Sequence, residues 1–326
     1  GNGIGFRFDE GCTLDELFAY SYGSFVLELT EQEEIGLPLG VTTEEGSFTW
    51  REESIPLQEL QEAYEGKLEP IYPCNIAQGQ KEIPTLSAHG DSWKKPLIKA
   101  AKPRVLIPVF PGTNCEYDTA KAFARAGADP EILVIRNLTP ADVTASCEAL
   151  VKAIDNSQIV MLPGGFSGGD EPDGSAKFIA SFFRNPAVTE AVRRLLQQRD
   201  GLMLGICNGF QALIKLGLVP YGDIRPITAC DPTLTFNTIG RHQSMLVHTR
   251  VASTGSPWLS KCEVGEMHTI AISHGEGRFV APQEVLDTML RNGQVATQYV
   301  DLTGVPTMDQ SFNPNGSVLA LSLIHI

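Results

Sequence analysis

The stretch Gly201-Leu-Met-Leu-Gly205-Ile-Cys207-Asn-Gly209-Phe-Gln211-Ala-Leu-Ile-Lys-Leu-Gly217 decides the fold. Residues 202–206 are a short apolar run, as in a buried strand. From Asn208 the period turns helical: Phe210, Leu213, Ile214 and Leu216 share one face, and Gly217 offers a C-terminal stop. Cys207 therefore stands where a strand turns sharply into a helix, with Gly205 and Gly209 on either side. That is a nucleophile elbow carrying a thiol. The glycines permit the strained turn and keep Cβ atoms away from the reacting sulfur. A helix N-terminus beneath the sulfur favours thiolate and supplies N–H groups for an oxyanion. An isolated cysteine is ordinarily a small core hydrophobe. The strand, turn and helix around Cys207 make it the candidate nucleophile instead.

Upstream of the elbow the pattern is regular. Strand 105–110, helix 116–126, strand 132–135, helix 140–154, strand 159–162 and helices across 174–198 precede the elbow strand. Such alternation predicts right-handed crossovers and a parallel sheet covered on both faces, an α/β fold. Ligands of these sheets sit at the carboxyl ends of the strands, and the loops 111–115, 163–170 and 207–209 all leave those ends. After residue 220 shorter strand-like runs (245–251, 269–274, 295–300) predict an antiparallel extension.

Residues 1–103 have another character. The chain carries a net charge of −14, and residues 1–100 hold 18 acidic against 7 basic side chains, a balance of −11. Residues 101–326 hold 21 and 18, a balance of −3, so the chain contains two different units. The acidic balance excludes nucleic acid as a partner of the first. Thr13-Leu-Asp-Glu16 is a capping box for a short helix, Ser24–Leu29 reads as a strand, and 57–65 reads as a helix. Prolines 70, 73, 84, 96 and 103 mark 70–103 as an extended linker. The seven cysteines include no C-x-x-C pair, which suits a reducing cytosol and offers no zinc spacing. No apolar run of about 18 residues is long enough for a membrane span, and no metal site is expected.

Three loops supply the rest of the candidate site. Pro163-Gly-Gly-Phe-Ser167-Gly-Gly169 follows a buried strand and can present backbone N–H groups where a side chain would block approach. Asn114, in Phe110-Pro-Gly-Thr-Asn114-Cys115-Glu116, either caps the next helix or lines the site. A thiol nucleophile wants a histidine base, and the base wants an orienting carboxylate. On spacing alone His274 and Glu276 qualify, because on a strand they would share a face. His242, His248 and His268 show no such companion and read as ordinary hydrogen-bonded histidines.

These motifs, with Ser273-His-Gly-Glu-Gly-Arg278 and Asn313-Pro-Asn-Gly-Ser317, resemble the class I (triad) glutamine amidotransferases. Within them the resemblance is to the glutaminase end of the phosphoribosylformylglycinamidine synthase family, over residues 104–320. It implies a flavodoxin-like parallel sheet and glutamine hydrolysis at Cys207. Gly164, Gly165 and Asn208 would form the oxyanion hole, and Phe166 and Gln211 would bind glutamine. The resemblance makes His274 and Glu276 pocket-lining residues, and places the catalytic H-x-E pair beyond Ser317. Residues 1–40 resemble the C-terminal tail of the synthetase domain of the single-chain form. That domain would accept the ammonia and use ATP and magnesium; the glutaminase domain itself would need no cofactor. The chain thus reads as a piece of a cytoplasmic ATP-dependent carbon–nitrogen ligase. Residues 321–326 back-translate naturally as CTG TCT CTT ATA CAC ATC, which looks like a transposon-end adapter, so native sequence is expected to end near Ala320. With the H-x-E pair outside it, the chain is expected to be nearly inactive. The rival readings are a thiol hydrolase using Cys207 and His274, and a regulatory module with a redox-sensitive cysteine.

Overall fold

The computed structural model describes residues 3–30, 35–71, 73, 83–90, 100–169 and 176–322. It divides into two compact units, Gly1–Cys74 and Asn75–Ile326.

The first unit is a small sheet with two helices. β1 (Gly5–Phe8), α1 (Leu14–Leu17), β2 (Gly40–Thr43), β3 (Ser47–Trp50), β4 (Glu53–Pro56) and α2 (Leu57–Gly66) follow in order. The strand order is β2-β1-β3-β4, with β1 and β3 parallel and the other pairs antiparallel. Phe6, Phe8 and Phe48 meet at 4.9 to 6.1 Å between ring centroids. The capping box at Thr13 and Glu16 forms as expected. Two expectations fail here. Ser24–Leu29 is not a strand: Phe25, Val26 and Leu27 are exposed and pair with nothing among the described residues. The expected boundary between residues 40 and 41 is not structural either, because β2 pairs with β1 across it.

The second unit carries the parallel sheet. β5 (Arg104–Val109), α3 (Glu116–Arg125), β6 (Asp129–Val134), α4 (Pro140–Asn156) and β7 (Ile159–Leu162) come first. α5 (Lys177–Phe183), α6 (Pro186–Arg193), β8 (Leu202–Gly205) and α7 (Asn208–Leu216) complete the α/β layer. The order β6-β5-β7-β8, all parallel, is the flavodoxin-like arrangement, with its switch point between β5 and β7. Alternation along the strands sorts the two faces. Leu106, Val160 and Leu162 pack with α4 to α7, while Val105, Ile107 and Met161 pack with Phe123 of α3. α4 begins where the sequence dictates: Thr139 and Asp142 form a capping box, and Pro140 occupies the first turn.

Beyond α7 lie α8 (Leu218–Tyr221), β9 (Thr233–Thr235), β10 (Gln243–Val251), β11 (Met267–His274), β12 (Arg278–Val280), α9 (Gln283–Arg291) and β13 (Thr297–Tyr299). β10 is the centre of an antiparallel sheet, with β11 paired from Gln243↔His274 to Arg250↔Met267 and β13 on its other side. The linker expectation for 70–103 needs correction over 83–90. That segment is extended but docked: Ala88 bridges Ser253, and the Leu86 N–H donates to Gln298 Oε1 at 2.9 Å. Most of the remaining linker lies outside the described residues. Leu321 is buried and bridges Gln298; residues 323–326, within the expected adapter segment, lie outside the described residues.

Candidate active site

β8 ends at Gly205 and α7 starts at Asn208, so Cys207 occupies a sharp strand-to-helix turn. Its backbone sits at φ 52°, ψ −112°, a strained conformation for a residue with a Cβ. The flanking glycines are sterically required. A Cβ on Gly205 would lie 2.6 Å from the Gly209 carbonyl, and one on Gly209 would lie 2.0 Å from the Leu162 carbonyl oxygen. The elbow can therefore nest on β7 only with glycine at both positions. Cys207 is exposed and is the N-cap residue of α7, which puts its thiol at the positive end of that helix.

The loop after β7 passes directly over the thiol. A Cβ on Gly164 would stand 3.4 Å from Cys207 Cβ and 4.0 Å from Sγ. Across the switch point this loop is zipped to the loop after β5. The Asn114 N–H donates to the Gly164 carbonyl at 2.9 Å, and the Phe166 N–H to the Gly112 carbonyl at 2.8 Å. The Gly168 N–H donates to the Pro111 carbonyl at 2.8 Å. Because the peptide is planar and trans, fixing the Gly164 carbonyl toward Asn114 turns the Gly165 N–H the opposite way. Gly165 itself holds φ 133°, and any Cβ there would strike Gly112 and Asn114. Asn114 does not cap α3: the N-cap is Cys115, in the left-handed region at φ 69° with no side-chain cap bond. Its contribution is the backbone bond to Gly164. Phe166 is 60% exposed, leaving its ring free to meet a ligand.

A chain of side-chain hydrogen bonds then runs inward. The Ser167 N–H donates to Asn208 Oδ1 at 3.3 Å, Asn208 Nδ2 donates to Gln211 Oε1 at 2.9 Å, and Gln211 Nε2 donates to the Glu276 carbonyl at 2.9 Å. Asn208 and Gln211 are buried, so this relay works in a low-dielectric setting. The structure thus brings Gly164, Asn208, Gln211 and Glu276 together around the elbow. Gln211 engages its amide with protein partners, as a brace between α7 and the loop after β11.

His274 does not form the pair that spacing suggested. β11 ends at His274, and Glu276 lies in the bend beyond it, so the shared strand face does not exist. Both ring nitrogens of His274 are buried without a hydrogen-bond partner. Burial pushes its pKa down to about 4, with His242 adding repulsion. His242 instead meets Ser273 Oγ at 2.8 Å, and His248 meets Thr269 Oγ1 at 3.1 Å. His268 has a companion that the sequence reading missed: Glu266 Oε1, 3.5 Å from Nε2.

Sequence reasoning also missed Asn237, which holds the 274–277 bend from both sides. Its Nδ2 donates to the His274 carbonyl at 2.8 Å, and its Oδ1 accepts from the Gly277 N–H at 3.1 Å. Below it, the Asn313–Ser317 motif is a buried polar knot. Ser317 Oγ accepts from the Phe279 N–H at 3.0 Å and donates to the Gly277 carbonyl at 3.2 Å. Asn315 Nδ2 donates to Tyr299 Oη at 3.1 Å. The motif was legible as a motif, but its partners lie 16 and 38 to 40 residues away in sequence.

Residues 102–325 match the CobB/CobQ-like glutamine amidotransferase domain. The chain is 33% identical over 221 residues to the phosphoribosylformylglycinamidine synthase subunit PurQ of Chlorobium chlorochromatii, covering 66% of this chain and 79% of that protein. It is 34% identical over 218 residues to the PurQ subunit of Aquifex aeolicus, covering 65% and 79%. The solved PurLQS structure from Thermotoga maritima is 25% identical with a TM-score of 0.47, covering 68% of this chain and 80% of that one. The strained thiol elbow under a glycine loop thus sits in a chain that belongs to the CobB/CobQ-like glutamine amidotransferase family, in the line of the PurQ subunits of phosphoribosylformylglycinamidine synthase.

Proposed function

We propose that this chain hydrolyses the side-chain amide of glutamine at Cys207 and supplies the ammonia to phosphoribosylformylglycinamidine synthesis. The observation that carries the reading is the Cys207 elbow, strained at φ 52° and standing 3.4 Å from where a Gly164 Cβ would be. The Cys207 thiolate attacks the carboxamide carbon, and the oxyanion that forms is received by the N–H groups of Gly165 and Asn208. Collapse breaks the carbon–nitrogen bond, and ammonia leaves with a proton from a general acid. Water then cleaves the glutamyl thioester, returning the thiol and releasing glutamate. Phe166 and the Asn114 loop wall the glutamine pocket, and Gln211 keeps the wall in register with α7.

On this reading ammonia passes to a synthetase domain of the same polypeptide. That domain would use ATP and magnesium to activate the amide oxygen of formylglycinamide ribonucleotide, in the cytoplasm. His274 is not the base: a ring titrating near 4, with both nitrogens buried and unpartnered, has no carboxylate to orient it. The base and its glutamate follow Ser317 outside the described residues. Incubation with L-glutamine, followed by intact-mass analysis, tests the glutaminase reading. Glutamate release and a glutamyl adduct on Cys207, both lost in Cys207→Ala, are expected. Sustained glutamate release that stops in His274→Gln would instead make His274 the base. Ester cleavage with no preference for glutamine would overturn the glutaminase reading.

A further inference from the structure

We propose that Cys262, Glu266 and His268 form a binding site for a thiophilic divalent cation of the zinc class. The ligand atoms of these three side chains all lie within 4.8 Å of one another. They come from the connection between β10 and β11 and from the start of β11. Glu266 immediately precedes the strand and His268 is its second residue, and Nε2 lies 3.5 Å from Oε1. The preceding turn delivers the thiol to the same place. Gly265 takes φ 98°, the Glu266 N–H donates to the Glu263 carbonyl at 3.0 Å, and the Cys262 N–H donates to the Leu259 carbonyl at 3.0 Å.

The surroundings fit a metal better than a bare ion pair. The Glu263 N–H donates to Glu266 Oε2 at 3.0 Å, an outer contact that aims the carboxylate. The Cys262 side chain is half-buried against Val251, Leu259 and Ala296. Arg250, the cation beside Gly265, turns its guanidinium to the Leu86 carbonyl and to Ser87 Oγ.

The donor set decides the ion. Thiolate, imidazole and carboxylate suit zinc, whereas magnesium and calcium want oxygen alone. Zinc holds such ligands at about 2.0–2.3 Å in a tetrahedron, so three protein ligands leave one position for water. Binding releases the Cys262 proton to solvent. The site lies at the opposite end of β11 from His274, with five residues and about 20 Å of strand between His268 and His274. Its effect is to clamp the 262–266 turn to the head of β11. A search for C-x-x-C pairs could not find it, because the spacing is C-x3-E-x-H.

Titration with cobalt(II) chloride, and with zinc chloride in competition, tests the site in the full chain. We expect one equivalent bound, with a thiolate-to-cobalt charge-transfer band that zinc displaces. The band should persist in Cys207→Ser and vanish in Cys262→Ser. His268→Gln, at a partly exposed position that does not threaten folding, should weaken binding by at least about tenfold, the least that even outer contacts cost. A band that survives Cys262→Ser, one that is lost in Cys207→Ser, full affinity in His268→Gln, or no stoichiometric binding would each overturn the proposal.

Discussion

Gln211 Nε2 donates to the Glu276 backbone carbonyl at 2.9 Å, and this bond fastens the helix behind the nucleophile to the bend that follows β11. Its Oε1 accepts from Asn208, whose own Oδ1 accepts from the Ser167 N–H of the glycine loop. One buried amide therefore ties three segments that converge on Cys207. Replacing Gln211 by Ala leaves the Asn208 amide and the Glu276 carbonyl without this partner. Each such loss costs about 1–3 kcal/mol in a protein interior. We expect Gln211→Ala to lower stability by about 2 kcal/mol in urea unfolding. It should also slow alkylation of Cys207 by a glutamine-like chloroketone more than alkylation by iodoacetamide. Equal slowing of both reagents would mean that Gln211 has no part in shaping the pocket.

The elbow makes a second prediction, in which activity and stability move apart. Cys207 sits at φ 52°, ψ −112°, where a side chain costs about 1–3 kcal/mol. Cys207→Gly should abolish adduct formation yet melt at or above the temperature of Cys207→Ala. Gly209→Ala should do the reverse of this relief. Its Cβ would meet the Leu162 carbonyl oxygen at 2.0 Å, and backbone on both sides cannot yield. We expect a loss above about 3 kcal/mol, read by thermal melting or by failure to accumulate soluble protein.

How much of this was legible follows from the range of the interactions. The elbow was readable because its cause is local: an apolar run, two glycines and a helical period within seventeen residues, Gly201 to Gly217. The two central parallel strands, β5 and β7, were readable for the same reason, since Val105–Ile107 and Val160–Leu162 are buried on both faces and therefore continuously apolar. Ser24–Leu29 has the same apolar look but finds no partner strand among the described residues, so composition misled there. Asn114 read equally as a cap or as site lining until the loop geometry put Cys115 at the N-cap. The brace through Asn237 and Ser317 was invisible, because side-chain bonds across about forty positions leave no local period.

That brace gives a third prediction. Asn237 is buried, and its amide accepts from the Gly277 N–H while donating to the carbonyls of His274 and Arg241. Asn237→Asp keeps the acceptor and removes both donations, while burying a charge against two carbonyl oxygens. A loss of at least about 2 kcal/mol is expected, larger than for Asn237→Ser, which can keep one donor. Hydrogen exchange should localise the damage: the Gly277 and Phe279 amides should lose protection before those of β5 and β7. Uniform loss across the sheet would place the role of Asn237 in global folding instead.

The last prediction concerns acid. Burial holds the His274 imidazole at a pKa of about 4, below its ordinary 6.5. Between those values the unfolded ring takes up a proton and the folded ring does not, so the unfolded state binds more protons there. Stability must then rise with pH through this window, being fully present above about 6.5 and lost as pH falls toward 4. The difference in proton affinity amounts to about 3 kcal/mol. His274→Leu removes the titration. At pH 7 it should stay within about 1 kcal/mol of the parent, because neither ring nitrogen has a hydrogen-bond partner on another residue that would be left unpaired. At pH 4.5 it should be the more stable of the two by about 2 kcal/mol, since every carboxylate is common to both proteins. Urea unfolding of both at several pH values gives the two slopes. Parallel curves would show that the ring is accessible to protons in the folded chain, and the wall beside the elbow would then be wetter than the structure has it.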